Sequence, residues 1–148
     1  RKTRYIKKLI KDNNIKIVKS KNFKEFYNIL KKSKKKYNTL PTHSLKELIK
    51  LHGLFPQNIE LLISKKENNI LGGTLLFYPN NKTCLVFYNV VDTSCLSNQL
   101  ASLQLYQVFS CAKKNNCSFV DFGVSHLPET NLPLNPKFSL IKFKIIFT

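Results

Sequence analysis

From Ile59 onward the hydrophobic period of the chain changes from helical to alternating, and this change limits the possible folds more than any other feature. "IELLISKK", "NILGGTLLFYP" and "KTCLVFYNVVD" are rich in aliphatic and aromatic residues and are punctuated by "ENN" and "NN". Such runs, with turn residues between them, predict a three-stranded antiparallel meander over 59–92. Upstream the spacing is helical. Tyr5, Ile6, Leu9 and Ile10 predict a helix over 3–11 that "DNN" ends, and "IKIVKS" predicts a short strand. Asn22 and Glu25 give a cap signal before an apolar stripe of Phe23, Phe26, Tyr27 and Leu30. In "PTHSLKELIKLHGLFP", Ser44 and Glu47 form a capping box, Leu45, Leu48, Ile49 and His52 recur at helical spacing, and Gly53 is placed for a left-handed cap.

Downstream, residues 97–114 carry Leu100, Ala101, Leu105, Val108, Phe109 and Ala112, the wide apolar face of a long helix. "SFVDFG" reads as a buried strand, followed by a proline-punctuated loop and a final "LIKFKIIF". The order strand, helix, helix, three strands, long helix, strand predicts one α/β domain with a mixed, mainly antiparallel sheet flanked by helices.

At 43% hydrophobic and 11% aromatic residues the chain can bury a core, which excludes intrinsic disorder. No apolar run approaches the roughly 18 residues that cross a bilayer, so no transmembrane segment is expected. Cys84, Cys95, Cys111 and Cys117 show no CxxC spacing and no nearby histidine. That pattern predicts neither a metal site nor a disulfide framework, but reduced thiols in a cytoplasmic protein. The chain starts at Arg1 and contains no Met, and so reads as a piece of a longer protein.

The net charge of +17 invites a polyanion-binding reading, yet only Arg1 and Arg4 supply the bidentate fork that phosphate recognition favours. The charge is also uneven: residues 1–37 hold 15 basic and 2 acidic side chains (+13), against 10 and 6 (+4) for the remainder. Contact with tRNA or another polyanion is therefore expected in the basic N-terminal third. The lysines of "KKSKKK" also complement a helix dipole.

Four stretches together, "PTHSLKELIKLHGLFPQNIELLI", "ILGGTLLFY", "VFYNVVD" and "DFGVS...LN", resemble the second domain of the Fem-type branch of the GNAT acyltransferases. That branch comprises the peptidoglycan bridge aminoacyltransferases and their relatives in cell-envelope polysaccharide pathways. "RKTRYIKKLIKDNNIKI" is similar to the basic helix that precedes the domain in that group. The resemblance implies a basic N-terminal helix over 1–13 and a GNAT-like acyltransferase domain over 14–148. "FKIIFT" departs from the family ending by lacking an acid and a glycine, so the last strands are expected to be missing.

The implied function is acyl or aminoacyl transfer to an amine of an envelope or polysaccharide precursor, with a small-molecule or lipid-linked acceptor. The donor is acyl-CoA or aminoacyl-tRNA, and no metal is expected. Because "DTSCLSNQLA" has no glycine where a phosphate-cradling turn would lie, CoA is expected to bind weakly. The competing readings are a non-catalytic basic binding module and an inactive remnant of a transferase.

Acyl transfer needs a polarised carbonyl and a proton acceptor. Alternation puts Phe119, Asp121 and Gly123 on one face of "SFVDFG", and a carboxylate shielded by phenylalanine suits a base; alternatively Asp121 braces the next loop. Tyr88 stands near the end of the third meander strand, where the resemblance places the acyl carbonyl; it is a hydrogen-bond donor there or a packed strand aromatic. His43, Asn89, Ser125 and Lys142 complete the candidates, as substrate-binding residues, with His43 at the acceptor-side rim.

Overall fold

The computed structural model describes Ile6, residues 14–92, Ser94 and residues 99–123. Among residues 14–123 the described elements follow in the order β1 (Ile15–Ser20), α1 (Phe23–Lys35), α2 (Leu45–Leu54), β2 (Ile59–Lys66), β3 (Asn69–Phe77), β4 (Thr83–Val91), α3 (Leu100–Lys114) and β5 (Phe119–Asp121). The sheet runs β1-β2-β3-β4-β5, antiparallel through β4 and parallel between β4 and β5. A parallel pair needs a crossover, and α3 supplies it. The expected meander forms the centre of the sheet.

The caps are built as the residue types dictate. Asn22 Oδ1 accepts from the Glu25 amide at 3.2 Å. Ser44 Oγ accepts from the Glu47 amide at 3.2 Å, and the Glu47 carboxylate accepts in return from the Ser44 amide at 2.6 Å. Gly53 does not end α2 in a left-handed turn as its position predicts; it lies within the helix, and among the described residues Gly123 alone is a glycine with positive φ. The terminator is Phe55, whose φ of −131° leaves the helical region because Pro56 crowds it. Ile49 also departs from expectation: it is 50% exposed, and Leu48 alone of α2 is buried.

Two layers cover the sheet. On one face Phe23, Phe26, Ile29 and Leu30 of α1 and Leu48 of α2 pack on Leu61, Ile63, Leu75, Tyr88 and Val90. On the other, Leu105, Val108, Cys111 and Ala112 of α3 pack on Leu62, Leu76 and Cys84. Ile6, helical and buried, joins Ile15, Leu100 and Leu103. The remaining N-terminal residues of the expected basic helix, and the final "LIKFKIIF", lie outside the described residues.

Under α3 runs a polar seam. Gln104, 1% exposed, donates from Nε2 to Ser64 Oγ and to the Val90 carbonyl, at 3.0 and 3.2 Å. Gly72 makes room for it, since a Cβ there would come within 2.7 Å of Gln104 Nε2 and 2.5 Å of the Val90 oxygen. At the far end of the sheet the buried Glu60 carboxylate is held by the Tyr78 hydroxyl at 3.1 Å and paired with Lys19 at 3.1 Å. Among the described residues no helix is long and apolar enough to cross a membrane, and no group of His, Cys, Asp and Glu could hold a metal ion.

Candidate functional site

Along β4 the side-chain alternation is interrupted once. Cys84 and Val86 pack toward α3, yet Tyr88 and Val90 pack toward α1 and α2. The switch is a β-bulge: Leu75 pairs with Tyr88 and Leu76 with Val86, which leaves Phe87 as an extra residue. A bulge bends its strand and re-aims side chains. Here it brings two consecutive aromatics, Phe87 and Tyr88, to one face.

Immediately before the bulge the sheet opens. β5 pairs with residues 83–85 only, so residues 86–91 have no strand beside them on that edge among the described residues. The opening is a cleft of about 640 Å³. Residues 85–90 of β4 form one wall, Phe122 and Gly123 beyond β5 another, and Lys34, Tyr37 and Thr42 around the α1–α2 connection a third.

Tyr88 sits where the first and third walls meet. It is 8% exposed, and its hydroxyl accepts from the Thr42 amide at 3.2 Å. Its own hydrogen meets no acceptor among the described residues and is available to a ligand. Lys34 Nζ lies 5.9 Å from its ring centroid. Phe87 meets Tyr88 edge-on at 4.7 Å, stacks on Phe77 at 4.4 Å and touches the His43 ring at 5.2 Å. The connection before α2 is thus fastened to β4 through Thr42 and His43. The Nδ1 atom of His43 is buried without a partner among the described residues. His52, by contrast, packs on Phe23 at 5.1 Å and belongs to the scaffold.

The other candidates separate. Asn89 points to the α3 face, where Oδ1 accepts from Thr74 Oγ1 at 3.0 Å and Nδ2 donates to the Ala101 carbonyl at 3.3 Å. Both ends of its amide are engaged, tying the start of α3 to β4. The strand in "SFVDFG" was expected to be buried; it is an edge strand in which Phe119 is 65% exposed and Asp121 is exposed. The reason is topological: among the described residues β5 is the edge strand of the sheet, and α3 covers only its Val120 side. Asp121 Oδ1 accepts from the Gly123 amide at 2.7 Å and so braces the turn in which Gly123 takes φ +68°. Its carboxylate is exposed rather than shielded by Phe119. Ser125 and Lys142 lie outside the described residues.

Three cleft residues escape a reading from pattern alone: Phe87, Lys34 and Thr42. For Phe87 a signal exists, since two adjacent aromatics in a half-buried strand conflict with strict alternation and mark a bulge. Lys34 is hidden among identical neighbours in "KKSKKK", and Thr42 acts through its backbone.

At the exit of β4, Asp92 accepts from the Ser94 amide and hydroxyl at 2.9 and 2.8 Å. The Ser94 amide, then its hydroxyl, and more weakly the charge of Lys32 hold the Asp92 carboxyl below the usual carboxylate range. Gln99, at the cap position of α3, makes no side-chain hydrogen bond to the first turn.

No family model and no curated protein matches the chain by sequence. Solved structures do match. A possible acetyltransferase from Clostridium difficile 630 superposes with a TM-score of 0.68 at 10% identity, covering 90% of each chain. An aminoglycoside acetyltransferase from an uncultured soil metagenomic sample, in complex with sisomicin, gives 0.63 at 15% identity over 92% of this chain and 88% of its own. A GNAT family acetyltransferase from Elizabethkingia anophelis with acetyl-CoA bound gives 0.62 at 18% identity, over 91% of this chain and 75% of its own. The fold is that of the GNAT acetyltransferases, a single α/β domain built on a mostly antiparallel five-stranded sheet.

Proposed function

We propose that the chain is an N-acyltransferase domain whose acyl donor lies in the cleft between β4 and β5. The observation that carries this reading is the opening of the sheet beside residues 86–91, next to the bulge at Phe87. An extended acyl arm with amide groups can bond to an unpaired strand edge as a further strand would. A bulge frees main-chain groups from the ladder, and a freed N–H beside a carbonyl polarises it. The amine nitrogen then attacks the carbonyl carbon, a C–N bond forms, and the bond to the leaving group breaks. Tyr88, with its hydroxyl hydrogen unclaimed, donates a proton to the departing group. The acceptor enters from the α1–α2 side, where Thr42 lines the cleft, and the proton the amine loses passes to solvent at the open rim. Asp121 acts as a positioning residue for the β5 exit.

The finer assignments rest on the sequence resemblance: a Fem-type branch, an envelope or polysaccharide acceptor, and a donor that is acyl-CoA or aminoacyl-tRNA. The test is a donor assay with the full-length protein, following acyl transfer from acetyl-CoA and from aminoacyl-tRNA to an amine panel. Tyr88→Phe is expected to lower turnover by about 10²-fold with at least one donor. If both donors bind and shift amide resonances only away from residues 85–90, the cleft is not the donor site and the reading fails.

A further inference from the structure

We propose that Lys34 fits the cleft to an acceptor amine that carries a carboxylate close to its nitrogen, as an amino acid does. The inference rests on the acyltransferase reading above and names the acceptor class for that same site. In "KKSKKK" the lysines Lys31, Lys32, Lys35 and Lys36 are exposed, whereas Lys34 is half-buried and lines the cleft. Its ammonium lies over the ring of Tyr88, 5.9 Å from the centroid, and that ring belongs to a residue only 8% exposed. A lysine stem on a surface helix ordinarily carries its charge out to water. This one ends over the aromatic whose hydroxyl serves the leaving group.

Among the described residues this cation has no ionic partner. The ion pair found there joins Lys19 to Glu60, and no carboxylate lines the cleft. Asp121, one residue before the lining Phe122, directs its Oδ1 to the Gly123 amide instead. A helix dipole accounts for positive charge in the last turn, shared by Lys32, Lys34 and Lys35. It does not account for turning one of the three inward. The π face attracts the ammonium but gives its three N–H donors no oxygen to bond, and a carboxylate on the ligand supplies that oxygen in a charge-assisted hydrogen bond. One cation matches one negative charge, so a carboxylate suits it better than a phosphate dianion. Because Lys34 and the Tyr88 hydroxyl lie on the same ring, the carboxylate and the reacting amine are held a few atoms apart, the spacing of an amino acid. A polyamine, by contrast, meets a like charge at Lys34 and finds no carboxylate among the described lining residues.

Two measurements on the full-length protein test this. In the first, acylation of alanine, alaninamide and spermidine is compared, with acetyl-CoA and with aminoacyl-tRNA as donors. Alaninamide matches alanine in shape and lacks the anion. The ratio of kcat/KM for alanine to that for alaninamide should drop about tenfold in Lys34→Gln and be largely retained in Lys34→Arg; comparing one substrate pair across variants cancels the different basicities of the two amines. In the second, amide resonances are followed during titration with N-acetylalanine, the product expected from acetyl-CoA, and with N-acetylalaninamide. The charged compound should bind more tightly, shift residues 33–37 and 85–90, and lose about tenfold in affinity in Lys34→Gln. A preference for spermidine, or an alanine ratio unchanged in Lys34→Gln, overturns the proposal and leaves the acyltransferase reading standing. So does a Lys34→Gln variant that raises the KM of the donor more than that of alanine, which would make Lys34 a donor contact. Equal binding of the two acetylated compounds overturns it whether or not turnover is seen. If N-acetylalanine binds through Lys34 but no amine is acylated from either donor, the acyltransferase reading falls rather than the carboxylate site.

Discussion

β4 changes partners along its length. Among the described residues Thr83 and Cys84 pair with β5, Leu85 with both β5 and β3, and Val86 and residues 88–91 with β3 alone. In the first part the strand is interior: Cys84 is 0% exposed, and burial pushes its thiol up to about 12. In the second part the same strand is a cleft wall, and the bulge at Phe87 marks the change. The contrast shows how a small sheet gains a site without losing its core. The side chains of Tyr88 and Val90 are still buried against α1, while no described strand pairs with the backbone edge on the far side.

The largest expected effect sets core against wall. Leu75, 0% exposed and paired with Tyr88, should cost about 2–5 kcal/mol when replaced by Ala, because its neighbours on α1 cannot collapse into the space. Leu85, half-buried in the cleft wall, should cost less than half as much under the same urea denaturation. Equal losses would mean that the cleft is closed in solution. Next in size is Gly72→Ala, whose new methyl would meet the Val90 oxygen at 2.5 Å and Gln104 at 2.7 Å. We expect about 1–3 kcal/mol of destabilisation by overpacking. Because the strain falls on β4 and α3 together, amide exchange should rise in both elements before it rises in β1.

Tyr88→Phe keeps the ring and removes the acceptor for the Thr42 amide. The expected stability loss is about 1 kcal/mol, the size of one hydrogen bond left unmade, against a much larger loss in turnover. A variant equally impaired in both would make Tyr88 a strut of the cleft and nothing more. Asp121→Ala should also cost about 1 kcal/mol by releasing the Gly123 amide, whereas Asp121→Asn retains an acceptor oxygen and should change melting temperature little. Loss of turnover in the Asn variant with unchanged melting temperature would instead restore Asp121 as a base.

Much of the architecture is legible from local rules, because those rules act locally. The caps at Asn22 and Ser44 and the long helix follow from neighbours three or four residues apart, and the meander from alternation at two with turn residues between the runs. What fails does so where tertiary context decides. Gly53 loses its capping role to the crowding of Phe55 by Pro56, and Phe119 and Asp121 are exposed because β5 is the edge strand among the described residues. The site is half legible. Tyr88 is findable as an aromatic near a strand end, but its place in the cleft depends on a bulge that shifts every later side chain to the opposite face. Asn89, one position on, is thereby turned into the seam under α3.

The smallest effect concerns how the α1–α2 wall is held. The Glu47 carboxyl is kept below its ordinary value, first by the Ser44 amide, then by the Ser44 hydroxyl, with a minor contribution from the charge of His43. A depressed carboxyl contributes stability that is present above its unfolded value near 4.5 and lost as pH falls through the lower folded value. Wild type should therefore exceed Glu47→Gln in melting temperature at neutral pH, and the difference should vanish in acid below that value. Because the box fastens the start of α2, next to Thr42 and His43, the acid change should appear in amide exchange at residues 42–47 and leave β2 and β3 unmoved. A difference that stays constant from neutral pH down through that window would show that the carboxylate is not what holds the cap. A change spread evenly over the sheet would show that the wall and the core are not separable in the way β4 implies.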